Sequence, residues 1–268
     1  MRLKAGPYAG VARRLADTPF SSIAYVEETA STNADAAALL GDERFAGHTI
    51  VAEYQSRGAA RKGRTWLAPA GTALLFTTIL PRTIDAGQLW VVPYWVALGV
   101  RNALLRLDVA TTLQWPNDLL LGERKLAGIL CQSSVSGASA RVACGVGINV
   151  SRPGTDPQID PPPAYCSDVA AVHRADLLYA ILGEYERTLP MLDQSGRVCH
   201  KWHAAAELPG KRYRIQLDGA AEPFEAIAEG LAEGGGLRVL REDGTPETIS
   251  LADARALRLR SEQARPKA

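Results

Sequence analysis

Apolar and polar positions divide the chain into segments with distinct periods. Residues 22–28 (SIAYVEE) alternate with period two, as a half-buried strand does. Ser31, Thr32 and Asn33 then precede an Ala/Leu-rich run. Their side chains accept hydrogen bonds from the free N–H groups of a first turn, so a helix is predicted to begin there. Residues 48–55 (HTIVAEYQ) are rich in β-branched and aromatic residues, and residues 72–80 (TALLFTTIL) are almost wholly apolar; both read as strands, the second buried. Residues 85–107 carry the period of a long amphipathic helix that tolerates Pro93 near its start. Residues 112–118 (TLQWPND) break into a turn, 119–133 form a hairpin about Gly122-Glu123, and 140–150 (ARVACGVGINV) are another strand.

After a Pro-rich stretch at 151–165 with no regular pattern, residues 174–192 return to helical spacing, and a shorter helix runs to about residue 207. The text changes again past Pro209-Gly210. Four short strand-like runs (GKRYRIQL, FEAIAEGL, GLRVLRED and PETISL) are separated by Gly, Asp and Pro turns, as in small β-barrels. The expected architecture is α+β. It consists of a mixed or antiparallel sheet with helices on one side, followed by a small β-barrel, which the family resemblance given below makes SH3-like. The expected boundaries are a flexible lead-in at 1–21, a main domain at 22–207, the barrel at 208–260 and a frayed tail at 261–268.

Composition narrows the function classes. Of 268 residues, 30 are Lys or Arg and 29 are Asp or Glu, a net charge of +1, so a surface-wide affinity for polyanions is excluded and any basic site is local. The longest apolar run, 89–100, falls short of the roughly 20 residues that span a bilayer. No secretory h-region opens the chain, so a cytoplasmic protein without membrane partners is expected. The four cysteines (131, 144, 166 and 199) form no CxxC pair and read as free thiols. Cys199, His200 and His203 are close in sequence, but no second cluster completes a tetrahedral metal set.

Three stretches carry candidate chemistry. In residues 55–66, glycines flank Arg61 and Lys62, so backbone N–H groups and guanidinium groups can approach an anion; a solvated basic loop fits the same composition. In the second, Asn117 and Asp118 have turn chemistry, and Lys125 opens an apolar run, where its ammonium must meet a partner or snorkel outward. The third, Gly145 to Val150, sets glycines into a strand, which lets a ligand or another backbone pass close by; it is not a dinucleotide fingerprint.

Taken in order, Ser31-Thr32-Asn33, the AEYQ run (52–55) leading to Gly63-Arg64-Thr65-Trp66, WPND (115–118), RKLAGIL (124–130) and GVGIN (145–149) resemble the biotin protein ligase family. The resemblance extends from about residue 22 to the C-terminus. It implies an enzyme that joins biotin to AMP using ATP and Mg²⁺, then passes biotin to one lysine of a biotin carboxyl carrier protein, acting as a monomer or homodimer. It places Ser31, Thr32, Asn33, Gln55, Gly58, Arg61, Lys125, Gly128 and Gly147 at biotin. Arg61, Arg64, Trp66, Asn117, Lys125 and Asn149 fall at the adenylate, and Lys125, Arg61 and Asp118 in catalysis. The ligands of Mg²⁺ are left open.

The chain departs from the family pattern in three places. Gly58-Ala59-Ala60-Arg61 stands where the family has Gly-Arg-Gly-Arg, Gln114 replaces a lysine, and Cys131-Gln132 replaces an acidic ending. An alanine avoids positive φ, so a loop that orders less tightly over the intermediate is expected. The alternatives are a non-catalytic biotin-binding relative and a lipoate or octanoate ligase. The roughly 20 residues ahead of residue 22 are too few for a winged helix-turn-helix, so nucleic-acid binding is not expected.

Overall fold

A mixed sheet forms the frame in this computed structural model, which describes residues 5–155, 159, 161–251 and 254–257. Strand β1 (Ile23–Thr29) runs parallel to β2 (Thr49–Gln55), and every other pairing is antiparallel. Next come β3 (Ala73–Ile79), the two-residue β4 (Ile84–Asp85), β5 (Thr112–Gln114) and β6 (Asp118–Leu121). The long hairpin of β7 (Arg124–Ser136) and β8 (Ser139–Asn149) completes the set. The spatial order is β1-β2-β3-β8-β7-β6-β5, with β4 on β8. The hairpin predicted at Gly122-Glu123 is present, with Gly122 at φ +59°.

Helices cover both faces of the sheet, unevenly. Helices α1 (Ala9–Arg14), α3 (Val92–Leu105), α4 (Arg174–Thr188) and α5 (Ser195–Ala205) share one core with Val51, Phe76, Cys144 and Ile148. Helix α2 (Thr32–Ala37) lies on the other face, where Ala36 and Leu40 meet Ile50, Ile79 and Ala143. Ile50 and Val51 are successive, so they point to opposite sides of the sheet. The expectation of helices on one side is therefore corrected: α2 occupies the second face and leaves the rest of that face open.

The N-terminal segment also differs from its expected flexibility. A 3-10 turn (Gly6–Tyr8) leads into α1, and Tyr8, Val11, Leu15 and Phe20 are buried in the main core. Residues 85–107 do not form one helix: Ala86–Val91 is a 3-10 turn, and α3 takes over with Pro93 in its first turn, where a missing N–H costs nothing.

The C-terminal strands β9 (Arg212–Leu217), β10 (Phe224–Leu231), β11 (Leu237–Arg241), β12 (Pro246–Ile249) and β13 (Ala254–Leu257) form an antiparallel sheet in the order β12-β11-β10-β9-β13. Sequence patterning finds four of these and misses β13. Among the described residues the two end strands do not pair, so the sheet is an open path rather than a closed barrel. The expected frayed tail at 261–268 lies outside the described residues. Tyr213, Ile215, Ala228 and Val239 join the same apolar core as α3 and α5. The fully buried Trp115 donates its indole N–H to the Gly235 carbonyl (3.3 Å) and its backbone N–H to the Tyr213 hydroxyl (3.2 Å), fixing the WPND turn against this sheet.

Candidate functional site

The open face beside α2 is low because β7 and β8 carry glycines there. A Cβ on Gly145 would lie 1.8 Å from Asn33 Oδ1, and one on Gly147 would lie 2.7 Å from the Trp66 ring, so neither position has room for a side chain. The start of α2 is held in this floor by a polar chain. Gln55 Oε1 accepts from the Thr32 N–H (2.7 Å) and hydroxyl (3.0 Å). Thr77 Oγ1 lies 2.8 Å from Thr32 Oγ1 and 2.6 Å from Asn33 Oδ1, and Asn33 Nδ2 donates to the Leu130 carbonyl (2.9 Å). These are buried polar groups with partners, a rigid array suited to a small uncharged polar ligand.

Lys125 reaches this face through a β-bulge. Strict alternation would send it to the helix-covered side with Ala127 and Ile129. Leu119 pairs with Ala127 while Leu120 pairs with Lys125, so Leu126 is an extra residue in β7, buried in the main core. The single insertion turns Lys125 toward Gly128. A Cβ at Gly128 would lie 3.2 Å from the Lys125 ammonium. Asp118 Oδ1 lies 2.6 Å from Nζ, an ion pair off the axis of a well-aligned hydrogen bond, and the Trp66 ring lies 5.5 Å away. Asn117 Nδ2 donates to the Ile129 carbonyl (2.7 Å), bracing β7 beside the ammonium.

Two cavities meet at this lysine. The inner one is lined by Ser31, Thr32, Asn33 and Gln55 on one side and by Arg61, Asn117, Gly128 and Gly147 on the other. The outer and larger one is walled by Thr72, Asn149, Pro163 and Tyr165, with Leu67 and Ile159 at its edge. Ala60, Arg64, Trp66 and Lys125 line both. The Trp66 indole is thus the partition; its Nε1 is buried without a hydrogen-bond partner among the described residues.

Backbone hydrogen bonds close the Gly/Arg loop on itself. Ala59 and Thr65 form a bridge, the Ala60 N–H donates to the Arg64 carbonyl (2.8 Å), and the Trp66 N–H donates to the Gly58 carbonyl (2.8 Å). Lys62 at φ +58° and Gly63 at φ +69° make the turn. The C-terminal sheet holds the loop from outside: Arg61 donates to the Leu251 carbonyl, and Lys62 pairs with Asp218. Burial pulls the Arg61 guanidinium below its ordinary value, against weaker support from Tyr94 and Asp118.

Most of the sequence candidates converge on this site. Three stand apart from the inner cavity: Gly58 backs the Trp66 carbonyl, Asp118 pairs with Lys125, and Asn149 belongs to the outer cavity. Gly128 and Gly147 face the Trp66 ring in this structure. Sequence reasoning missed Thr77, one of three hydroxyls in the run 72–80, and the outer wall at Ile159, Pro163 and Tyr165. Among the described residues no three His, Cys, Asp or Glu side chains gather to hold a metal, the Cys199–His203 stretch included, and all four cysteines are free. No described helix is long and apolar enough to cross a membrane.

A mixed sheet thus carries two adjoining cavities with one ammonium between them, a site of the ligand-binding class. The profile of the Biotin/lipoate A/B protein ligase family matches residues 25–149. The Biotin--[acetyl-CoA-carboxylase] ligase of Mycobacterium tuberculosis is 31% identical over 247 residues, covering 87% of this chain and 88% of that protein. Its namesake from Paracoccus denitrificans is 32% identical, covering 84% and 96%. In fold, biotin protein ligase from Aquifex aeolicus in complex with biotin and ATP superposes with a TM-score of 0.70 at 23% identity, covering 90% of this chain and 100% of that one. The chain belongs to the Biotin/lipoate A/B protein ligase family, on its biotin protein ligase branch.

Proposed function

We infer that this chain is an ATP-dependent biotin protein ligase. It forms biotinyl-5'-AMP and then transfers the biotinyl group to a lysine of a biotin carboxyl carrier protein. The observation that carries the reading is the placement of Lys125 at the junction of a polar inner cavity and a larger outer one.

The ureido ring of biotin is neutral and offers two N–H donors and one acceptor. Ser31, Thr32, Asn33 and Gln55 supply complementary groups in the inner cavity, and buried polar atoms require such partners. The nucleotide lies in the outer cavity with Asn149 and Arg64, and Trp66 provides packing surface. A carboxylate oxygen of biotin attacks the α-phosphorus, the bond to the bridging oxygen breaks, and pyrophosphate leaves with its electron pair. Two anions are thereby brought together. An ammonium about 4 Å from the reacting oxygens contributes at most about 4 kcal/mol at an effective dielectric near 20, or about a thousandfold in rate. Asp118 keeps the ammonium aimed at the junction, and Arg61 and Arg64 add charge from the loop. In the second half-reaction the carrier amine attacks the acyl carbon, forms an amide and displaces AMP.

Mg²⁺ enters as part of the substrate, carried on the triphosphate; such a cation keeps several waters and needs few protein ligands, which fits a site with no carboxylate cluster among the described residues. We read residues 22–207 as the catalytic unit and the C-terminal strands β9–β13 as part of an SH3-like barrel that holds the loop. Pyrophosphate release on mixing the protein with biotin and ATP–Mg²⁺ tests the reading. Release must require both substrates; octanoate replacing biotin as the better substrate would refute it.

A further inference from the structure

Behind the outer cavity, away from both proposed ligands, a mostly buried carboxylate ties three segments together. Asp168 has a side chain 12% exposed and accepts from Arg124 Nη2 through Oδ2 (2.8 Å) and from Arg152 Nη2 through Oδ1 (2.8 Å). Its Oδ2 also accepts from the Tyr165 N–H (3.2 Å). Burial by itself would raise its carboxyl, but the Arg152 hydrogen bond, the Tyr165 N–H and the two cations outweigh it and hold the group below its ordinary value.

The three partners matter because of where they lead. Arg124 immediately precedes Lys125, and its Nη1 also donates to the Pro163 carbonyl (3.2 Å). The Ala164 N–H donates to the Lys125 carbonyl (2.8 Å), and Asn149 Nδ2 donates to the Ala164 carbonyl (3.1 Å). Pro163 and Tyr165 are the wall of the outer cavity, and the Arg152 guanidinium lies 5.0 Å from the Tyr165 ring. Asp168 touches neither cavity. It sets the distance between the nucleotide wall and the strand that carries the ammonium.

We propose that Asp168 is a positioning residue for the nucleotide subsite, acting through Arg124 and Arg152 on the wall at Pro163–Tyr165 and on the start of β7. This rests on reading the outer cavity as the nucleotide site. The inner cavity is positioned by a separate set of bonds through Gln55, Thr77 and Asn33, so the two substrates respond differently.

The test is Asp168→Asn, which keeps volume and removes charge, with Asp168→Glu as the conservative variant. The measurements are the KM for ATP from pyrophosphate release, the Kd for biotin by calorimetry without ATP, kcat and the thermal midpoint. Asp168→Asn is expected to raise the KM for ATP about tenfold, the loss of roughly one charge-assisted bond, while biotin affinity holds and Asp168→Glu recovers part of the loss. An unchanged KM for ATP, or biotin affinity falling in parallel, would overturn the proposal. If the unmutated protein releases no pyrophosphate, the ligase reading fails by itself. The comparison then moves to direct ATP binding, where weaker binding by Asp168→Asn alone supports the positioning role and equal affinities overturn it.

Discussion

Gly145→Ala puts one methyl group into the floor of the inner cavity, and its consequence can be worked through atom by atom. The added Cβ would sit 1.8 Å from Asn33 Oδ1, 2.6 Å from Cγ and 2.7 Å from Nδ2, whereas real Cβ contacts essentially never fall below 3.0 Å. The Asn33 amide must therefore retreat by more than an ångström, or β8 must shift. The amide is buried at 5% exposure and held at both ends, by the Thr77 hydroxyl at 2.6 Å and the Leu130 carbonyl at 2.9 Å. Both bonds break on such a displacement. Each is worth about 1 kcal/mol net, and leaving a buried partner unsatisfied adds to that, so about 2–3 kcal/mol is lost. Where biotin requires the amide in its original place, the same cost opposes binding, and biotin affinity is expected to fall by up to roughly 30- to 150-fold. The assay is calorimetric titration of biotin without ATP, alongside Gly183→Ala, a helical position where an added Cβ meets nothing within 4 Å and binding is expected to be unchanged. If Gly145→Ala binds biotin like the unmutated protein, Asn33 is not part of the ligand floor and the assignment of the inner cavity is wrong.

Further predictions follow from other contacts. The Lys62–Asp218 pair joins the loop to the C-terminal sheet with its carboxylate exposed to solvent, so Asp218→Asn is expected to speed escape of biotinyl-5'-AMP by at most about fivefold, with high salt giving the same effect in the unmutated protein. Carrier-free release of labelled intermediate measures this, and a salt-independent rate would refute the latch. Tyr213→Phe leaves the buried Trp115 N–H without its acceptor and is expected to cost about 1–3 kcal/mol in urea unfolding; a neutral result would show that this bond does not matter. His203 Nε2 accepts from the Leu231 N–H at 2.7 Å, and burial first, then Arg238 and His200, pulls its pKa below the ordinary 6.5. A base with a lowered folded value takes up protons more readily when unfolded. The stability it contributes is therefore complete above pH 6.5 and falls as the pH drops below that, and His203→Gln should flatten this part of the profile.

The sequence made the polar inventory of the site legible but not its arrangement. Ser31, Thr32, Asn33 and Gln55 come to the site through the resemblance to the ligase family; by local pattern they mark only a helix start and a strand end. The orientation of Lys125 was hidden, because a bulge is defined by the neighbouring strand: nothing in RKLAGIL says that Leu126 is the unpaired residue. The side of the sheet taken by α2 was hidden for the same reason, since a short Ala-rich helix carries no label for the face it covers. Tyr8, Val11 and Leu15 did carry a legible helical spacing, but so few apolar residues in a basic stretch gave a weak signal. The loop's outer support was out of reach altogether, because Arg61 and Lys62 meet the C-terminal sheet across more than 150 residues of chain, at Leu251 and Asp218.

The most direct measurement is the mass of a biotin carboxyl carrier domain after incubation with the protein, biotin and ATP–Mg²⁺. One added biotinyl group is expected with the unmutated chain, and about a thousandfold less of it with Lys125→Ala under initial-rate conditions. A carrier left unmodified by the unmutated chain, or modified equally by both, would contradict the account.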